Sequence, residues 1–126
     1  MRGLFFILFL STTVLGQSQD TESISRAFKS ADINNISPYL AQTMDMDICG
    51  KGGVISNHQA HMLLHHFFKS NPVNSYHILH SSAFDNKKQH VIAEYSTSKG
   101  NFTLIYKVEE REGKLTIRQV RIDKTT

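Results

Sequence analysis

Hydrophobic positions in this chain change period at Pro72. Before it, Ala60, Leu63, Leu64 and Phe67 recur at helical spacing; after it, apolar and polar residues alternate almost to the end. Ser56 and Gln59 match a capping box, so the helix opens at Ser56. It runs to about Lys69-Ser70 and stops at Asn71-Pro72, because a residue preceding proline is pushed out of helical geometry. Val73 to Phe84, Gln89 to Ser98, Asn101 to Glu110 and Lys114 to Asp123 then read as four strands. The turn-forming segments Asp85–Lys88, Lys99-Gly100 and Arg111–Gly113 separate them, and such short connections make successive strands antiparallel.

Upstream, Ile24, Ala27 and Phe28 share one face of a first helix that has Glu22 in its opening turn. Ala31–Asn35 interrupts it. A second short helix carries Ile36, Tyr39 and Leu40, with Pro38 in its first turn. In Thr43–Ile48, Met44, Met46 and Ile48 alternate with Asp45 and Asp47, the pattern of a half-buried strand. Gly50–Gly53 is a turn, and Val54-Ile55 pairs back briefly. Helices, a short hairpin, a long helix and four long strands make an α+β fold, one sheet with its helices on one side.

Alternation also assigns faces. Tyr76, Ile78 and His80 fall on one face of their strand, Val91, Ala93 and Tyr95 on one face of the next, and Phe102, Leu104, Tyr106 and Val108 on one face of the third. In the last strand Leu115 and Ile117 are followed in register by Gln119 and Arg121. If these faces line a cavity, its candidate ligand-binding residues are Tyr76, His80, Tyr95, Tyr106, Gln119 and Arg121, an apolar pocket with a few orienting polar groups. The alternative is a filled interior, with tyrosine rings packed, hydroxyls at the rim, and His80 and Arg121 in water. The opposite faces carry Leu79, Ile92, Ile105, Val120 and Ile122 beside the more polar His77, Glu94, Thr103, Lys107 and Arg118. A continuous apolar patch there would suit a homodimer through the convex sheet face.

The first residues, MRGLFFILFLSTTVLGQSQD, place one arginine before an apolar run and then small residues. That is the pattern of a secretory signal peptide, with cleavage expected after Gly16. The run is too short to span a membrane, so the mature form is expected to be exported, without an anchor, as a single domain over residues 17–126. Loss of Arg2 leaves 13 basic against 11 acidic side chains, interspersed, with Lys87-Lys88 the only adjacent basic pair. Nothing in that pattern calls for nucleic acid. Cys49 is the single cysteine, so no disulfide staples the domain, and a lone thiol after Ile48 is expected to be buried. Asn35-Ile-Ser and Asn101-Phe-Thr match the glycosylation sequon without further support.

Four of the seven histidines lie between Ser56 and Pro72. His58, His61 and His65 share a helix face, and His61 with His65 has the spacing of paired zinc ligands. A catalytic zinc needs a third protein ligand, and the zinc-protease signature needs glutamate where Met62 stands. No carboxylate occurs from Ser56 to Asn71. These histidines therefore read as solvent-facing, and no metal or other cofactor is called for.

The phrases ISRAFKSADINNISPYLAQTMDMDICGKGGVISNHQAHMLLHHFFKSNP and SKGNFTLIYKVEEREGKLTIRQVRID resemble domain-of-unknown-function family 4783, small exported proteins of Bacteroidetes-type bacteria. That resemblance implies the nuclear transport factor two-like, cystatin-like cone, in which a strongly curved antiparallel sheet wraps around N-terminal helices and one long helix. It brings no catalytic residues. Ketosteroid isomerases and polyketide cyclases of the wider fold use acids inside the cone, and their motifs have no match here; a shared fold is not a shared function. The expectation is a non-enzymatic module that binds a small ligand or a partner protein. The alternative is an enzyme acting on a small apolar substrate by acid–base chemistry, with His80 or another concave polar residue as the acid or base.

Overall fold

The computed structural model describes residues 21–125; the expected signal peptide lies outside the described residues. A helix over 21–30 (α1) is followed by α2 (Ile33–Ile36), a 3-10 turn (Ser37–Tyr39), β1 (Leu40–Ile48), β2 (Lys51–Ser56), α3 (Asn57–Ser70), β3 (Val73–Ser81), β4 (Lys88–Thr97), β5 (Gly100–Arg111) and β6 (Lys114–Lys124). The expected order of elements is present. The larger changes of boundary are that α2 begins at Ile33, inside the expected break, that Leu40 belongs to β1 rather than to a helix, that β2 extends to Lys51, and that β3 stops at Ser81.

Three helix boundaries have a clear local cause. The Asp32 side chain caps α2 by accepting from Asn34 N at 2.9 Å. Ser56 Oγ accepts from Gln59 N at 3.2 Å while Gln59 Oε1 accepts from Ser56 N at 3.1 Å, the reciprocal pair read from the sequence. At the far end of α3, Asn71 donates to the Phe67 carbonyl through both its backbone and its side-chain amide.

The six strands form one sheet in the order β2-β1-β6-β5-β4-β3. β2 and β3 are therefore opposite edges, and α3 carries the chain from one to the other. The hairpins β1–β2, β3–β4, β4–β5 and β5–β6 are antiparallel, as short turns require. The sheet is not wholly antiparallel, because β6 returns beside β1 and pairs with it in parallel, Met46 with Val120 and Ile48 with Ile122.

A single core lies between the helices and one face of the sheet. Ile24 and Phe28 of α1, Ile36 of α2, and Ala60, Leu64 and Phe67 of α3 pack there against Met46, Tyr95, Leu104, Tyr106, Ile117 and Val120. The alternation holds along β4 and β5 but fails in β6. There Val108 pairs with Ile117 and Lys107 with Gln119, which leaves Arg118 as an extra residue. The bulge flips every later side chain, since alternation has a period of two. Val120 and Ile122 thus point inward with no exposed surface, and Gln119 and Arg121 point outward. The convex patch correspondingly loses Val120 and Ile122 and retains Leu79, Ile92 and Ile105.

Cys49 is exposed rather than buried. It follows the inward-facing Ile48 in the β1–β2 turn, at a left-handed φ of 52°, so its side chain lies outside the core. Asp47 Oδ1 fastens the same turn by accepting from Gly50 N at 2.8 Å.

Candidate functional site

Three of the six candidate cavity residues lie on the inner face. β3 and β4 place Tyr76 opposite Tyr95, β4 and β5 place Val91 opposite Tyr106, and β5 and β6 place Tyr106 opposite Val120. The other three do not join them. A second irregularity, at Leu79, pairs Ile78 with Ala93 but His80 with Ile92, so His80 moves to the outer face and is exposed. Gln119 and Arg121 are turned outward by the bulge in β6, and Arg121 Nε donates to Asp123 Oδ2 at 2.7 Å. That partner, with Asp47 farther off, holds the guanidinium above its ordinary pKa.

The inward tyrosines have different tasks. Tyr95 is fully buried and donates to the Phe28 carbonyl at 2.6 Å, tying the end of α1 to the sheet. Its ring stands edge-on to Phe68, centroids 5.7 Å apart. Burial pushes its pKa far up, with the neighbouring Tyr76 and Tyr106 adding to the rise. Tyr106 stacks on Phe28 at 4.3 Å, and burial raises its pKa as well.

The Tyr76 hydroxyl is buried but makes no hydrogen bond of good geometry among the described residues. Burial raises its pKa, while the nearby Ser25 and Tyr106 hydroxyls oppose the rise without closing a well-formed bond. It stays a protonated donor at neutral pH. A buried hydroxyl left unpaired costs on the order of 1–3 kcal/mol.

Tyr76 and Tyr106 face an open cleft of about 530 Å³ between α1 and the β3–β5 end of the sheet. Ile78 and Val91 supply its apolar wall, and Ser81 and Gln89 its far side. The helix contributes Glu22, Ser25, Arg26 and Lys29, spaced so that they share one face opposite Ile24, Ala27 and Phe28. Arg26 lies 4.0 Å from Glu22, a solvent-exposed pair of little energetic weight. Sequence reasoning missed this wall. Its signal was present in the polar stripe of α1, but only the tertiary placement of the helix turns that stripe toward Tyr76.

The α3 histidines are not a uniform wet face. His58 and His65 are exposed, whereas His61 is half-buried with Nδ1 3.2 Å from Ser37 Oγ, and its ring stacks near His65 at 6.5 Å. The 3-10 turn before β1 supplies that serine, a contact no local pattern announces. Among the described residues, no three His, Cys, Asp or Glu side chains cluster to hold a metal ion. No described helix is long and apolar enough to cross a membrane.

Comparison with solved structures places this geometry. A crystal structure of a DUF4783 family protein from Bacteroides uniformis shares 28% identity with a TM-score of 0.78, covering 83% of this chain and 96% of that one. An NTF2-like protein of unknown function from Shewanella baltica shares the fold at 14% identity and a TM-score of 0.64, covering 86% of this chain and 96% of that one. A Nostoc punctiforme domain of unknown function with a cystatin-like fold does so at 7% identity and 0.63, covering 92% and 77%. Among curated proteins no relative matches the sequence. The model of the family named Domain of unknown function (DUF4783) matches residues 21–123, almost the whole described chain. The α+β fold and the cleft therefore sit in a member of the DUF4783 family.

Proposed function

We propose that the chain is an exported, non-enzymatic binding module whose α1/β3–β5 cleft takes a small molecule with an apolar body and a hydrogen-bond acceptor. One observation carries this reading: the Tyr76 hydroxyl is buried without a well-formed partner at the wall of a cleft whose apolar side is formed by Ile78 and Val91. A donor kept in that state costs stability, and an acceptor on a ligand recovers it. Ile78 and Val91 offer the body of the ligand a dry surface, while Arg26, Lys29 and Gln89 offer polar contacts at the rim. Export is supported by the charged start, apolar run and small residues that open the sequence.

Acid–base catalysis is less well supported. His80 stands on the far side of the sheet, and the tyrosines nearest the cleft have pKa values moved away from neutrality. Titrating isotope-labelled mature protein with small aromatic and aliphatic amides, followed by NMR, tests the binding reading. Shifts centred on Ser25, Ile78 and Val91 are expected, and Ile78→Trp, which fills the cleft from its exposed side, should abolish them while the fold persists. Shifts elsewhere, or shifts indifferent to Ile78→Trp, overturn it.

A further inference from the structure

On the outward side of β4–β6, where β4 begins and β5 ends, lies a second cleft of about 550 Å³. Its lining is cationic: Lys88, Lys107, Arg111 and Arg118 surround the single carboxylate of Glu109, with His90 beside them. Strand register causes the clustering. Lys88 lies opposite Glu109 and His90 opposite Lys107, so Lys88 and Lys107 are diagonal neighbours about 7–8 Å apart at Cα. The extra residue of the β6 bulge is Arg118, with its Nε 3.5 Å from Glu109 Oε1. Arg111 Nε donates to the same oxygen at 3.1 Å. Glu109 is thus shared by the two arginines, and among the described residues neither lysine has an ion pair.

Four cations against one carboxylate leave a local excess of three positive charges, as large as the formal net charge of the entire chain. The charge is confined as well as strong. Farther along the same face stand Asp45, Asp47, Glu94 and Asp123, which would repel an extended polyanion. The cleft therefore suits a compact anion of more than one charge, with lysine and arginine stems forming its walls.

We propose that this outer cleft is a binding site for a phosphate monoester. Such a group carries roughly −1.5 to −2 charge at neutral pH. It matches the planar donors of Arg111 and Arg118, and the lysines act as point charges on its remaining oxygens. The site is separate from the α1 cleft, although Gln89 borders both.

The probes are sn-glycerol 3-phosphate, with citrate as a carboxylate comparator, titrated into the mature protein by calorimetry and NMR. Saturable one-to-one binding, centred on Lys88 and Lys107 and stronger than that of citrate, is expected. Lys88→Gln/Lys107→Gln should weaken it about a hundredfold or more, two charge-assisted contacts being lost at roughly 1.5–3 kcal/mol each. Lys51→Gln/Lys99→Gln removes the same charge elsewhere and should change affinity less than about twofold, all outside the site being screened over roughly 10 Å. Thermal melts confirm that each variant is folded. Vesicles containing phosphatidic acid distinguish the source: retention that glycerol 3-phosphate competes away assigns a lipid headgroup, and absence of retention assigns a free ester. No saturable binding at millimolar concentration, equal affinity for citrate, or equal losses in both double variants overturns the proposal.

Discussion

Tyr95→Phe and Tyr76→Phe remove the same atom from two neighbouring buried rings, and the structure gives them opposite consequences. The rings lie 5.4 Å apart, and phenylalanine preserves that contact in either variant. Tyr95 loses a 2.6 Å bond to the Phe28 carbonyl, at the point where α1 meets the sheet. That carbonyl also accepts from Ala31 N at 3.1 Å, so it is not orphaned. The expected cost is then the net value of one hydrogen bond, about 1 kcal/mol, rather than the larger penalty for an unsatisfied group. For a domain of this size that lowers Tm by about 4 °C. Tyr76→Phe removes a buried hydroxyl with no well-formed bond, so its unfolding free energy should stay within about 0.5 kcal/mol of the parent or rise. Urea unfolding followed by circular dichroism measures both differences at equal slope. A Tyr76→Phe loss equal to or larger than the Tyr95→Phe loss would refute the assignment of the two hydroxyls.

Stability should also fall in alkali. Burial raises the folded-state pKa of Tyr95 and Tyr106 above the unfolded value, so their contribution is intact below about pH 10 and is lost as pH rises toward the folded values. With Tyr76, whose pKa burial also raises, these groups give a slope of about 3–4 kcal/mol per pH unit just above pH 10, which Tyr106→Phe should lower by about 1.4 kcal/mol per pH unit in urea titrations from pH 9 to 11.5. Gly52 has a φ of +136°, and a Cβ there would collide with the Met46 carbonyl, so Gly52→Ala should cost about 3 kcal/mol. Gly113→Ala, at φ +76° in open space, should cost only about 1 kcal/mol by the same assay. The proposed self-association through the outer face would use Leu79, Ile92 and Ile105, so light scattering should give a dimeric mass that Ile105→Lys reduces to one chain. A parent mass of one chain removes that proposal.

The fold was legible wherever a local rule governs it. The Ser56/Gln59 capping box, the Pro72 stop and the alternation of β4 and β5 are short-range effects, and the structure repeats them. The parallel β1–β6 pair was not legible, because its partners lie more than 70 residues apart and no turn links them. Bulges defeated the face assignment for a different reason. One inserted residue reverses every later side chain, so His80, Gln119 and Arg121 left the inner face while Tyr76, Tyr95 and Tyr106 stayed. The polar stripe of α1 was visible as a helix face, but its role as a cleft wall depends on where Phe28 and Tyr95 anchor the helix.

Ligand binding in the α1/β3–β5 cleft can be seen in a crystal structure of the protein soaked with the strongest NMR-detected fragment. Fragment density is expected against Ile78 and Val91, with an acceptor atom within about 3.2 Å of the Tyr76 hydroxyl. Density bound elsewhere, or a cleft closed by Ser25 or Tyr106 moving into a full hydrogen bond with Tyr76, would contradict it.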